Sequence, residues 1–527
     1  MKKIIILTLV VFGIMFVGAF ADEGGDIFYG TAEIDMFPEV LPSAESNNVS
    51  LFGTDFSKIS LNEHIHNALL NRESVFGVID YKVTLEEFIL TYSCVNWDDP
   101  YLFYVGQNFS YAYYEDYDGN PNNNIVIACE PRYILTKTQT VAANKTINLA
   151  VERTLNGITD DMTDVEKALI VHDNICMEYQ YSPDGEETYD IYNMVLNKHG
   201  VCQGYMFMYQ AAMDKLGIEN YFVSSLYMNH IWNMINIDGE YYHIDVTWDD
   251  PRPTLTGSAL HTNFLVSDKS FTNHTKYTAP YAAESERFAE YYWKSSNTRL
   301  HPYKGEFYML CYHSQGKSII YKYDVNNNTK KSWKTLRNDE DFLWRAPESR
   351  YYTNCYSGFS EYNENVVLYN TRNAVKLLNL DTEEEKTLLT FKEINGEYFY
   401  IYGTALTNGE LTLMVRNSPK IGAAIYKYTF PVDSFEKVKV SMSIAVEDAS
   451  APKHTMVNAS YYDGKMLAGA VSNKITFTQY EDNKTVENPE INAVTLPLSG
   501  AKKIKTFTWN SLADDAPLYP VIELEIQ

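Results

Sequence analysis

Three residue types that together make a thiol acyl-transfer centre occur in order as Cys202, His230 and Asp245, with gaps of 28 and 15 residues. A thiol supplies the nucleophile, an imidazole takes up and returns its proton, and a carboxylate orients the imidazole. Cys202 stands in Gly200-Val201-Cys202-Gln203-Gly204-Tyr205, which opens an apolar stretch that runs to Leu216 and stops at Gly217, a natural helix cap. This pattern predicts Cys202 at a helix amino terminus, where the dipole and free backbone N–H groups favour a thiolate and can receive an oxyanion. Gly204 leaves room for a substrate or a neighbouring strand.

His230 and Asp245 are placed by a hairpin. Asp238-Gly239 separates His230–Ile237 from Glu240–Asp245, a strong two-residue turn signal between strand-like runs. If Ile237 pairs with Glu240, Trp232 lies opposite Asp245. Alternation then puts His230, Trp232, Met234, His243, Asp245 and Thr247 on one face. His230 and Asp245 become diagonal neighbours within reach of a hydrogen bond. His243 shares that face as a rival base, and Asp249 and Asp250 are rival carboxylates.

Gly-Val-Cys-Gln-Gly-Tyr at 200–205, His-Ile-Trp-Asn at 230–233 and Asp-Val-Thr-Trp-Asp-Asp-Pro at 245–251 resemble the bacterial transglutaminase-like domain family, within the papain-like thiol enzyme superfamily. The resemblance extends from residue 155 to residue 275, and Asn263–Asp268 is similar to the stretch that follows the motif in relatives. It implies an α+β papain-like core in which Cys202 is the nucleophile, His230 its base and Asp245 the orienting carboxylate. Ile231 stands where relatives more often carry a smaller residue.

The elements around these residues are partly legible. Thr163-Asp164-Val165-Glu166 is a capping box, and the apolar spacing from Val165 to Tyr179 predicts a helix over 164–180, with His172 and Cys176 as core residues on its stripe. Helical stretches such as His64–Arg72 and strand-like ones such as Asn124–Cys129 mark an N-terminal α+β region. Asp116–Asn120 superficially resembles a calcium loop. Ile127 stands at its twelfth position, where a bidentate glutamate is required, so a hairpin turn is the better reading. Beyond residue 295 the chain turns to short β-type runs. Four of them, anchored at Ile320, Val375, Ile425 and Ile475, recur at 55, 50 and 50 residues. That period fits propeller blades, with paired β-sandwiches as the alternative.

Met1-Lys2-Lys3, the apolar run Ile4–Phe20 and Ala19-Phe20-Ala21 before Asp22 form a signal-peptide pattern. The domain reading is therefore a signal peptide at 1–21, a flexible acidic lead-in at 22–45, the α+β region at 46–155, the catalytic domain at 156–290 and an all-β region at 295–527. The mature protein is expected to be secreted, extracellular or periplasmic, without a membrane span; an uncleaved anchor is the minority reading. The formal charge of −26, from 43 basic and 69 acidic residues, repels polyanions and excludes nucleic acid as a partner. The six cysteines lack CxxC spacing, so neither zinc nor any other cofactor is implied; Cys94 with Cys129 is a candidate bridge. The function expected is a peptidase or amidase that forms a thioester on Cys202 and takes protein or peptide substrates. A cross-linking transglutaminase and a non-catalytic protein binding a surface ligand through its C-terminal β region stay open.

Overall fold

The computed structural model describes residues 27–35, 60–115, 124–182, 189–250, 257–313, 317–336 and, from 343 to 526, stretches that are mainly strand. The signal-peptide pattern at 1–21, the turn at Asp116–Asn120 and Cys355 lie outside the described residues. Two compact units divide the chain, one of residues 1–144 with 224–229, the other of 145–223 with 230–527.

The first unit holds β1 (Ile27–Glu33), α1 (Leu61–Asn71), β2 (Phe76–Gly77), α2 (Leu85–Asp98), β3 (Val105–Tyr114) and β4 (Ile125–Tyr133). Its sheet runs β1-β3-β4-β2, and antiparallel pairing of Tyr114 with Ile125 makes β3 and β4 a hairpin. The lead-in is not flexible throughout: β3 offers an unpaired edge, and Ile27–Glu33 pairs along it. Cys94 and Cys129 are buried free thiols rather than a disulfide. Their sequence context is apolar, and each serves as a small core side chain.

The second unit begins within α3 (Lys137–Thr154), and the elements that carry the chemistry follow that helix. α4 (Asp164–Glu178) starts with the expected capping box, the Thr163 hydroxyl accepting from the Glu166 backbone and the Glu166 carboxylate from Thr163. Then follow β5 (Gln180–Tyr181), α5 (Ile191–Asn197), β6 (His199–Gly200) and α6 (Cys202–Leu216). Every side chain of α6 from Cys202 to Met213 is buried, so it is a central helix held by packing around its whole circumference. It stops where Gly217 adopts φ 71° and its N–H bonds back to Asp214 and Met213. The space at Gly204 goes to neither substrate nor strand. A β-carbon there would sit 2.8 Å from the Met194 sulfur, and one at Gly200 3.1 Å from the Met194 Cγ. The two glycines flanking Cys202 thus let α5 press against the first turn of α6.

β7 (Asn220–Ser225), β8 (His230–Ile237), β9 (Glu240–Ile244) and, after α7 (Val246–Asp249), β10 (Phe264–Val266) form a sheet in the order β10-β9-β8-β7. The hairpin register is the expected one, from Ile237 with Glu240 to Asn233 with Ile244. Positive φ at both Asp238 (55°) and Gly239 (86°) gives the turn hand that matches strand twist. The strand ends earlier than expected, however. Asp245 caps α7 by accepting from the Trp248 backbone N–H, and Thr247 lies in that helix, not on the sheet face.

The remainder is antiparallel sheet. β11 (His301–Tyr303), β12 (Glu306–His313), β13 (Lys317–Asp324) and β14 (Thr329–Leu336) form one four-stranded meander; β15 (Leu343–Arg345) and β16 (Tyr351–Thr353) pair alone. β17 (Ser360–Asn363), β18 (Val366–Asn370), β19 (Ala374–Asn379) and β20 (Glu385–Phe391) form a second meander, and β21 (Tyr400–Thr407), β22 (Glu410–Arg416), β23 (Ile425–Pro431) and β24 (Ser441–Ala445) a third. The repeats at Ile320, Val375 and Ile425 fall on the third strand of each meander, and the fourth, at Ile475, lies outside the described residues. A closed propeller ring is not formed among the described residues: β20 continues into the strand Tyr519–Ile526 and a further sheet beyond it. No helix among the described residues is long and apolar enough to cross a membrane.

Candidate active site

The β8–β9 hairpin and the turn after it bring His230 to Asp245, and Cys202 starts the helix that packs on β8. Cys202 occupies the first position of α6, and α6 lies on β8, where the Asn233 amide donates to the Met206 carbonyl at 3.2 Å. His230 begins β8, and its Nε2 lies 2.7 Å from Asp245 Oδ2. Because Nε2 is committed to the carboxylate, Nδ1 is the nitrogen left to serve the thiol. Burial works against charge on the His230 ring. The Asp245 charge and the hydrogen bonds to Asp245 and Cys202 overcome it, pushing the pKa up to about 10. Asp245 is fully buried, which opposes its ionisation, yet His230 and His274 hold it well below the usual carboxylate range. In the resting geometry the Cys202 thiol donates to Gln203 Oε1 at 3.2 Å. Cys202 and His230 are both buried, with 6% and 5% of their surface exposed. The indole of Trp248, 39% exposed, covers the His230 ring from outside, with centroids 5.6 Å apart.

The rivals are occupied elsewhere. His243 Nδ1 accepts from the Trp232 indole at 3.1 Å, and its Nε2 lies 2.9 Å from Asp268 Oδ1. With one nitrogen accepting and the other donating, His243 is a neutral structural bridge, and burial lowers its pKa further. Asp250 accepts from the Tyr205 hydroxyl and from the Tyr181 backbone N–H. Asp249 accepts from the backbone and amide N–H groups of Asn263 and faces His172 Nε2 at 3.3 Å.

Two features escaped the sequence reading. The first is His274, whose Nε2 lies 2.9 Å from the same Asp245 Oδ2 that holds His230. Nothing in the irregular segment around it signals a partner 29 residues upstream. The second is a fully buried cluster in which Asp173 Oδ1 lies 2.9 Å from His172 Nδ1 and 2.8 Å from His261 Nε2. His172 and Cys176 are core residues, as their helical stripe predicts, but His172 is a polar one. Donor atoms converge within 4.8 Å in His172, Asp173 and His261, and again in His230, Asp245 and His274. In both groups these atoms lie within hydrogen-bonding distance of a shared carboxylate.

Burial opposes charge on His172, but its bonds to Asp173 and Asp249 overturn that and push its pKa from 6.5 up to about 9. A raised value stabilises the fold fully below the unfolded pKa and is lost as pH climbs through the folded one. The melting temperature should therefore fall between pH 6.5 and about 9, and a His172→Gln variant should show a flatter profile. Replacing Asp173 by Ala strands two buried imidazoles and should cost about 3–5 kcal/mol, read from denaturant unfolding.

The family model of the transglutaminase-like superfamily matches residues 151–246, a span that takes in Cys202, His230 and Asp245. Among solved structures, one described as "Crystal structure of a TGase" is similar at 13% identity, with a TM-score of 0.19. The match covers 24% of this chain and 42% of that one, so the chain spans under half of that structure's length. No curated protein matches the chain.

Proposed function

Residues 151–246 constitute a transglutaminase-like domain, and from that premise we propose that the protein is a thiol enzyme that forms a thioester on Cys202 and hydrolyses peptide or glutamine amide bonds. The observation that carries this reading is His230, held by Asp245 at 2.7 Å on one nitrogen, where burial is outweighed by the Asp245 charge and the neighbouring Cys202 so that its affinity for a proton is raised. In the proposed cycle, neutral His230, its Nε2–H held by Asp245, takes the thiol proton on Nδ1 to become the imidazolium that its surroundings favour, and the sulfur attacks the amide carbonyl carbon. Backbone N–H groups at the start of α6 receive the oxyanion. The C–N bond then breaks as His230 returns its proton to the leaving amine, and a nucleophile resolves the thioester.

Water is the nucleophile proposed to resolve the thioester. Cross-linking is the outcome if a lysine amine does enter. A location outside the cytoplasm is proposed from the pattern at 1–22. The test is mass spectrometry of mixed peptides with a primary amine present, wild type against Cys202→Ala. Cleavage or deamidation by the wild type alone supports hydrolysis, and amine incorporation supports transfer. No change by either protein removes the enzyme reading and directs attention to surface binding by the C-terminal sheets.

A further inference from the structure

Asp245 Oδ2 receives two imidazoles rather than one: His230 Nε2 at 2.7 Å and His274 Nε2 at 2.9 Å. Its Oδ1 receives the Trp248 backbone N–H at 3.1 Å. An ionised carboxylate only accepts, so His274 Nε2 carries its proton and donates. His274 is itself anchored. Its Nδ1 faces Asn273 Oδ1 at 2.8 Å, a contact that becomes a hydrogen bond only if the ring carries both protons, and burial opposes that charge, so packing does the anchoring. The ring is packed between Phe271, stacked at 3.7 Å between centroids, and Trp248 at 4.4 Å.

We propose that His274 is a positioning residue of the thiol site, fixing the Asp245 carboxylate so that it holds His230 toward Cys202. The inference rests on the function proposed above. With a single imidazole, Asp245 could rotate about its side-chain bonds and carry His230 with it. A second donor, held in place by the Phe271 and Trp248 rings, removes that freedom before substrate arrives. The titratable groups facing the pair are Cys202 from α6, His243 from β9, and Asp245 and Asp249 at the two ends of α7.

The test is the rate of Cys202 alkylation by iodoacetamide against pH in the full-length protein, with thermal melting recorded alongside. His274→Leu removes the donor and fills the space. The rate at mildly acidic pH should fall about tenfold, the magnitude of a lost charged hydrogen bond, and the acid limb should move to higher pH. His274→Gln, whose amide nitrogen can stand at the Nε2 position, should restore the wild-type limb. If the leucine variant does not fold, His274→Asn, too short to reach Asp245, replaces it in the comparison. A leucine variant with lower melting temperature but an unchanged limb overturns the proposal, as does a glutamine variant as slow as leucine. If the wild type itself lacks acid-pH reactivity, the failure belongs to the proposed function and takes this inference with it.

Discussion

Replacing Cys202 by serine should abolish turnover, lowering it by a factor on the order of 10⁴ to 10⁶ while the fold stays intact. Serine fits the space at the first position of α6, which is buried and bounded by Gln203 and His230. What changes is acidity. The alcohol gives up its proton to His230 far less readily than a thiol does and is a weaker nucleophile, so attack on the carbonyl is lost. Melting temperature and circular dichroism should match the wild type, which separates this loss from misfolding.

The second large effect is Asp245→Asn. The aspartate presents two accepting oxygens, Oδ2 to His230 and His274 and Oδ1 to the Trp248 N–H. Asparagine has one oxygen, so its NH₂ must face either two ring N–H groups or the α7 backbone, and neither orientation satisfies every donor. The neutral side chain also removes the charge that favours protonated His230. Its pKa should drop from about 10 toward the ordinary 6.5, so the imidazolium that protonates the leaving amine vanishes at lower pH. Activity should fall on the order of 10³ to 10⁴, with the alkaline limb of the pH–rate profile moved downward.

The β8–β9 hairpin was the most legible part of the site, because Asp238-Gly239 fixes both the turn and the register. Where β9 ends was not legible: Asp245 reads as a strand residue until its side chain is seen capping α7. The start of α6 could be read from Cys202 and its end from Gly217. Its packing partner could not, since Met194 against Gly200 and Gly204 is a contact made only in the folded chain. His274 was out of reach for a similar reason. It sits in an irregular segment without periodicity, and its partner Asp245 is set by tertiary pairing alone. In the C-terminal region the repeat near 50 residues reflects real four-stranded meanders, but spacing says nothing about whether successive sheets close into a ring.

The most direct test of a primed Cys202–His230 pair is selective alkylation followed by peptide mapping. Burial pushes the thiols of Cys94, Cys129 and Cys176 well above the ordinary range and that of Cys311 up to about 11. At pH about 5.5, where an ordinary thiol is almost wholly protonated, iodoacetamide should label Cys202 first and should do so far more slowly in the His230→Ala variant. Labelling of Cys202 that appears only at alkaline pH, or that is indifferent to His230, would contradict the account.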